Sequence, residues 1–146
     1  MVKLEKISKE ELRPMVLKSY ENDEELFNKY HVGKFSLQQC VEKTVEMIEE
    51  AELETPLNYY KVICNDDDIG YIVTFNSILY SFAIAMEYRK RDILIEWWKL
   101  VNDILGEEFY AILYKNNTRA IEFLKRQDMK IISENVGENY LVFSNN

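Results

Sequence analysis

The strongest constraint on the fold is the stretch from Ser77 to Leu105. Its first part, Ser77–Met86, is rich in apolar, aromatic and β-branched residues and contains no Gly, Pro or charge, which predicts a buried strand. A charged turn, Glu87–Asp92, follows, and apolar residues then recur at helical spacing until Gly106 ends the helix. Open α/β sheets usually hold ligands at such a junction, because the N–H groups and the partial positive charge of the helix N-terminus lie there.

The rest of the chain supplies further strands and helices. Apolar or alternating segments predict strands at Val2–Ile7, Leu57–Cys64, Ile69–Phe75, Phe109–Tyr114, Lys130–Ile132 and Tyr140–Phe143. Apolar residues at helical spacing predict helices after Ser8, after Ser36 and after Asn117. The predicted order is β-α-α-β-β-β-α-β-α-β-β. We therefore predict one α/β domain (α+β in some schemes) over residues 1–146, with a mixed, mostly antiparallel twisted sheet and about four flanking helices.

The sequence offers two starts for the first helix, because a proline lies inside the apolar pattern. Ser8 followed by Glu10 and Glu11 is typical of a helix N-terminus. Pro14 lacks an N–H and favours the first turn of a helix, so it predicts a start near Arg13 instead.

Charge and hydropathy exclude several classes of protein. The net charge is −8, and residues 1–75 carry 16 acidic against 9 basic side chains. A protein that binds nucleic acid needs clustered positive charge, so we predict no nucleic-acid partner. The apolar runs are too short to cross a bilayer, so we predict no membrane partner and a cytoplasmic location. The acidic first half is compatible with a basic protein partner.

The residues that usually hold metals are sparse. His31 is the single histidine, which rules out a His-rich metal site, and it lies in a polar segment from Glu21 to Gly33. Cys40 and Cys64 lie far apart without a motif, so we expect both to be reduced and buried. The run Asp66–Asp68 lacks further ligands at calcium-loop spacing, so it predicts a hairpin turn. We predict no metal site.

Two local patterns carry a resemblance to a known family. Glu87–Leu94 stands in the place of the run V-x-P-x-Y-R-G-x-G-x-G, and Asn117–Met129 stands where the same family has N-x-x-A-x-x-F-Y-x-x-x-G-F. With the order of elements, these patterns resemble the GNAT superfamily of acyl-CoA-dependent N-acyltransferases over nearly the whole chain. Within it, the chain is similar to short, divergent GNAT-like proteins of tailed phages, some of them virion or assembly components. That resemblance implies a host cytoplasm or a virion as location.

The resemblance implies acetyl-CoA as cofactor, held around the turn after the fourth strand. In the family, backbone N–H groups of this turn wrap the CoA pyrophosphate, and glycines let the backbone approach it. The implied cofactor-binding residues here are Arg89, Lys90, Arg91, Asp92, Ile93 and Asn117. Asp92 and Leu94 stand at the two glycine positions, and a carboxylate would repel a pyrophosphate. Asp92 is therefore predicted to be the N-cap of the following helix.

The implied acid and base also depart from the family pattern. Acyl transfer to an amine needs a base for the amine and an acid for the leaving thiolate. The family's acid is often a Tyr where this chain has Leu124, and its base is often a Glu near the position of Ser81. The remaining candidates for catalytic groups are Glu87 as the base, with Tyr80 and Tyr114 as nearby hydroxyls.

Three functional hypotheses follow. The first is a GNAT-like protein that no longer acetylates and acts through protein partners, for example in a phage particle or its assembly. The second is a working acyltransferase that takes a small amine, favoured if the fourth and fifth strands separate into a V. The third is an acidic protein that sequesters a basic partner. Trp97 and Trp98 cannot share one helix face, so one of them is predicted to be an exposed anchor for a partner.

Overall fold

The computed structural model describes residues 1–23, 36–136 and 139–146. The strands are β1 (Val2–Ile7), β2 (Asn58–Cys64), β3 (Asp67–Phe75), β4 (Ile78–Ile84), β5 (Tyr110–Tyr114), β6 (Lys130–Val136) and β7 (Tyr140–Ser144). The helices are α1 (Lys9–Tyr20), α2 (Leu37–Glu54), α3 (Arg91–Leu105) and α4 (Thr118–Arg126), and a 3₁₀ turn covers Met86–Tyr88. The order of elements and the fold class are those predicted. His31 and most of its polar segment lie outside the described residues.

The strands form one sheet in the order β1-β2-β3-β4-β5-β7-β6. Neighbouring strands are antiparallel except for β4 and β5, which are parallel. Helices cover both faces of the sheet. Successive residues of a strand point to opposite faces, so they enter two different cores. Ile72 packs in the core that contains α3 and α4, whereas Tyr71 and Val73 pack in the core that contains α1 and α2.

The prediction that α1 starts near Arg13 is wrong, because the helix begins at Lys9 with Ser8 as its N-cap. The Glu11 N–H donates to the Ser8 carbonyl at 3.1 Å, and the Ser8 hydroxyl donates to Glu11 Oε1 at 3.2 Å. Pro14 removes one intrahelical hydrogen bond, but the neighbouring apolar side chains of this helix are buried. Burial of the apolar face outweighs the loss of one bond.

The β2–β3 connection is the predicted hairpin. Asn65 and Asp66 both have positive φ, 49° and 72°, as a two-residue type I′ turn requires. Further along β3, Gly70 lies where the backbone of β4 comes close. A β-carbon at Gly70 would stand 2.2 Å from the Ala83 carbonyl oxygen, so only glycine fits there.

The β4–β5 pair opens a slot in the sheet. Val73 pairs with Ser81 and Thr74 with Leu79, so Tyr80 is an extra residue that bulges and bends β4. Among the described residues, β4 pairs with β5 at Ile78↔Tyr110 and Leu79↔Ala111 and nowhere further along. Beyond Leu79 the two strands separate, as the acyltransferase hypothesis requires.

The prediction of an exposed tryptophan anchor is wrong. Trp97 is 1% exposed in the core, and Trp98 is half-buried against that core. The centroid of the Trp98 ring lies 5.7 Å from that of Phe109 and 5.5 Å from that of Phe123, which it meets edge-on. Trp97 and Trp98 do point to different sides of α3. The side that carries Trp98 is covered as well, by Phe123 of α4 and by Phe109 just before β5.

Cys40 and Cys64 are buried and are not joined in a disulfide. Within residues 1–23, 36–136 and 139–146, His, Cys, Asp and Glu side chains form no group that could hold a metal ion. None of the helices in that part of the chain has the length and hydropathy needed to cross a bilayer.

Candidate functional site

Two cavities meet at the slot between β4 and β5. The first, which we call the α2-side cavity, has a volume of about 350 Å³ and lies under α1 and α2. The second, the α3-side cavity, has a volume of about 480 Å³ and is lined by residues of α3 and α4. Tyr20, Phe82 and Asn117 line both, so the cavities adjoin at these side chains. Phe82, Trp97 and Tyr114 form walls of the two cavities and leave this space open.

A chain of hydroxyl groups forms one wall of the α2-side cavity. The Tyr20 hydroxyl lies 2.9 Å from Thr44 Oγ1 and 3.0 Å from the Tyr71 hydroxyl, which lies 3.1 Å from Ser81 Oγ. All four residues line this cavity. Burial raises the pKa of Tyr20 and raises that of Tyr71 well above its ordinary value. Both phenols therefore stay protonated and act as hydrogen-bond donors rather than as bases.

The raised pKa of Tyr71 predicts a loss of stability in alkali. Between about pH 10 and the raised pKa, the unfolded chain releases this proton while the folded chain keeps it. The contribution of protonated Tyr71 to the free energy of unfolding is thus fully present below about pH 10 and is lost as the pH rises through the raised pKa. In Tyr71→Phe, the free energy of unfolding should fall less steeply above pH 10, by up to about 1.4 kcal/mol per pH unit. Urea denaturation between pH 9 and 11 measures this slope.

Tyr110→Phe, which removes the hydroxyl of an exposed ring, controls for the loss of one tyrosine. If the free energy of unfolding fell equally steeply with pH in Tyr71→Phe and in the unmodified protein, the raised pKa of Tyr71 would be contradicted.

Carboxylates and aromatic rings form the rest of the α2-side cavity. Glu46 and Glu50, one turn apart on α2, line it together with Lys43. Both glutamates are exposed, and they also line this cavity. Tyr80 and Tyr114, two predicted site residues, line the same cavity. Burial, and secondly the charge of Glu50, raise the pKa of Tyr80.

An ion pair fixes Arg89 at the α3-side cavity. Arg89 Nη2 donates to Asp23 Oδ2 at 2.7 Å, and its Nε donates to the Ile84 carbonyl at 2.8 Å. The Asp23 side chain is 3% exposed. Arg89 therefore joins the end of β4 to the segment after α1, and this geometry holds its guanidinium against a carboxylate. Arg119 and Arg126 line the same cavity, and Arg119 Nη1 lies 3.2 Å from Met86 Sδ.

The N-terminus of α3 presents unused backbone donors. Lys90 is the N-cap, and the N–H groups of Arg91, Asp92 and Ile93 have no acceptor within the described parts of the chain. The prediction that Asp92 is the N-cap is wrong: it is the second helical residue and makes no capping bond. Its charge still interacts favourably with the helix dipole, by about 0.3–1 kcal/mol.

One buried donor at the α3-side cavity has no partner. Trp97 Nε1 is buried and makes no hydrogen bond within the described residues, although Trp97 lines this cavity. Leaving such a group unsatisfied costs about 1–3 kcal/mol. An orphaned donor, three helix amides and two arginines suit an anionic ligand with exposed acceptor oxygens. The amides at the start of α3 and the arginines could hold a phosphate-bearing group, whereas the carboxylates of Asp92 and Glu122 oppose it.

The other predicted site residues are spread more widely. Glu87 is exposed in the 3₁₀ turn and lines neither cavity. Ile93 is buried in the core, and Lys90 is exposed. Asn117 is the N-cap of α4, where its side chain accepts from the Ala120 N–H at 3.3 Å. Leu124, at the family's acid position, is fully buried.

The sequence analysis missed a group of residues that line the cavities: Tyr20, Asp23, Thr44, Glu46, Glu50 and Arg119. All of them except Arg119 lie on α1, on α2 or directly after α1, whereas the motifs follow β4 and β5; Arg119 lies inside the second motif. The spacing of Glu46 and Glu50, four residues apart on one helix face, was the available signal.

Comparisons with known proteins agree on the fold. No protein-family model and no curated protein matches the sequence. An acetyltransferase from Thermus thermophilus matches with a TM-score of 0.68 and 14% identity, covering 99% of this chain and 96% of that chain. PaiA N-acetyltransferase from Thermoplasma acidophilum, in complex with coenzyme A, matches with a TM-score of 0.61 and 15% identity, covering 98% of each chain.

A GNAT-family acetyltransferase from Staphylococcus aureus matches with a TM-score of 0.58 and 14% identity over the whole of both chains. At this identity the likeness establishes the fold alone. The chain has the fold of GNAT-family acetyltransferases.

Proposed function

We propose that this chain, which has the GNAT acetyltransferase fold, is an acyl-CoA-dependent N-acyltransferase. One observation carries the proposal: two cavities, one lined from α2 and the other from α3 and α4, adjoin at a slot where β4 and β5 separate. Two reactants could enter from the two sides and meet at the slot, which gives the proximity that a transfer reaction needs. The unpaired edge of β4 beyond Leu79 offers backbone donors and acceptors to a ligand between the strands.

The cofactor belongs on the α3 side. The N–H groups of Arg91, Asp92 and Ile93, which precede the cavity residue Leu94, would face the pyrophosphate. Arg119 and Arg126 would supply positive charge from the cavity itself. Bound acetyl-CoA would supply a thioester as the acyl donor. The role of this chain is to hold the donor in the slot and to exclude water from it.

The acceptor amine belongs on the α2 side. Ser81 lies on β4 in this cavity, and the protonated Tyr71 beside it donates or accepts through the hydroxyl chain. Tyr80 and Tyr114 remain candidates for the hydroxyl that protonates the leaving thiolate. The proposal of Glu87 as base rests on its place after β4 and has no further support from the geometry.

Titration calorimetry of acetyl-CoA into the full chain tests the proposal. We expect binding in the micromolar range, and we expect Asp92→Asn to bind several-fold more tightly because it removes a charge that repels the pyrophosphate. Asp103→Asn, on the exposed face near the other end of α3, is the matched control and should bind like the unmodified chain. Absence of binding by both the unmodified chain and Asp92→Asn would refute the proposal.

A non-catalytic role is the second candidate. The engagement of Arg89 by Asp23 and the burial of Leu124 favour it, because two positions that the family uses have structural tasks here. In that case the chain would act through protein partners, for example in a phage particle or its assembly. The titration separates the candidates, because a protein without cofactor chemistry has no reason to bind acetyl-CoA.

A further inference from the structure

We propose that the α2-side cavity selects short linear diamines over monoamines and amino acids, by holding a second, charged ammonium group away from the slot. This inference deepens the proposed function, since the same cavity would take the acceptor. It concerns binding, however, and can be tested without any reaction.

The charges at this cavity favour a cation. Glu46 and Glu50 line the cavity from one face of α2, and Lys43 lies one turn before them. The charged groups facing the cavity from the described residues therefore carry one net negative charge. The α3-side cavity has the opposite bias: with Asp23 paired to Arg89, Arg119 and Arg126 outweigh Glu122.

Aromatic rings line the same cavity as these carboxylates. The Tyr114 and Tyr140 rings pack edge to face with centroids 4.9 Å apart, and the Tyr140 hydroxyl lies 3.3 Å from Met47 Sδ on α2. Tyr80 lines the same space, near enough to Glu50 for the carboxylate to influence it. The face of a tyrosine ring attracts an ammonium group, and a neighbouring carboxylate adds to this attraction. Three tyrosines and a glutamate thus form a site suited to an alkylammonium ion.

The other end of the cavity suits a neutral amine. The hydroxyl groups of Thr44, Tyr20, Tyr71 and Ser81 form a hydrogen-bonded series, and its three bonds use three of the four hydroxyl protons. If the three bonds all run in one direction, one end of the series keeps a proton to donate and the other end can only accept. A neutral amine at Ser81 can serve either direction, because it both donates and accepts. A volume of about 350 Å³ lies at the lower end of the range for small-molecule sites, which limits the ligand to a short chain.

Calorimetry of three matched probes with the full chain tests this inference at neutral pH and low salt. The probes are 1,4-diaminobutane, butylamine and 4-aminobutyrate, which carry an ammonium, a methyl and a carboxylate group at the far end. We expect the diamine to bind about tenfold more tightly than butylamine, and 4-aminobutyrate to bind most weakly. Equal affinities for the diamine and butylamine would overturn the inference.

Variants of α2 locate the effect. Glu50→Gln should weaken the binding of the diamine more than that of butylamine and so lose most of the preference, and Glu46→Gln provides a second variant on the same face. Glu49→Gln, next to Glu50 but lining neither cavity, is the matched control and should keep the full preference. An unchanged preference in both Glu50→Gln and Glu46→Gln would also overturn the inference.

The acetyl-CoA titration keeps the two proposals separate. Diamine binding without acetyl-CoA binding would support this inference and refute the acyltransferase. Acetyl-CoA binding without a diamine preference would leave the acyltransferase standing and refute this inference.

Discussion

Replacing Arg89 by alanine should lower the free energy of unfolding by about 3–5 kcal/mol, because it removes one partner of a buried ion pair. The Asp23 carboxylate, 3% exposed, would lose the guanidinium that lies 2.7 Å away. The Ile84 carbonyl at the end of β4 would also lose its donor. Chemical denaturation of Arg89→Ala at pH 7 measures this loss.

A double-mutant cycle distinguishes the ion pair from other effects of Arg89. Asp23→Ala combined with Arg89→Ala should cost much less than the sum of the two single substitutions, since either single substitution already removes the interaction between the two side chains. Arg89→Lys keeps the charge but cannot reach Asp23 and Ile84 in the same way, so it should recover only part of the loss. A loss below about 1 kcal/mol for Arg89→Ala would show that the pair is a weak surface interaction.

Trp97→Ala should be similarly destabilising, by about 3–5 kcal/mol, because it removes the largest fully buried side chain of the described residues. Its ring packs against those of Phe82 and Phe123, with ring centroids 5.5 Å and 5.7 Å away. Trp97 also lines the α3-side cavity. The lost ring would therefore enlarge a cavity that is already present. Thermal and chemical unfolding of Trp97→Ala measure the effect.

Trp97→Phe separates packing from hydrogen bonding at the same position. It removes the Nε1 donor that makes no hydrogen bond within the described residues, together with part of the ring, so the two changes offset each other. We expect a loss well below that of Trp97→Ala. A loss as large as that of Trp97→Ala would mean that the indole N–H does have a partner in solution.

The sequence was sufficient for the fold because its signals are local. Ser36 begins α2 through a capping box with Gln39, and Asn65 and Asp66 form the hairpin turn where the strand pattern breaks. Pro14 misled the prediction, since the local cost of a proline is smaller than the burial of a whole helix face. The seclusion of Trp98 depends on α4 and β5, which no local pattern near Trp98 records.

The site was less accessible to prediction because its contacts join distant parts of the chain. Arg89 was expected to meet a cofactor, but its partner Asp23 lies 66 residues away on another element. Tyr80, at the bulge of β4, and Tyr114, at the end of β5, do share a cavity, as residues of neighbouring strands can. Glu50 joins them only because α2 crosses the same face of the sheet, which depends on tertiary packing.

The seam between β4 and β5 gives the sheet an unusual distribution of stiffness. Two backbone pairs at one end, Ile78↔Tyr110 and Leu79↔Ala111, are what joins β1–β4 to β5–β7 directly through the sheet. The angle between the two halves is therefore set at the paired end, while the ligand-sized space opens at the other. Leu79 is fully buried at that paired end. A change of side-chain volume at Leu79, which lines neither cavity itself, would thus alter the width of the slot.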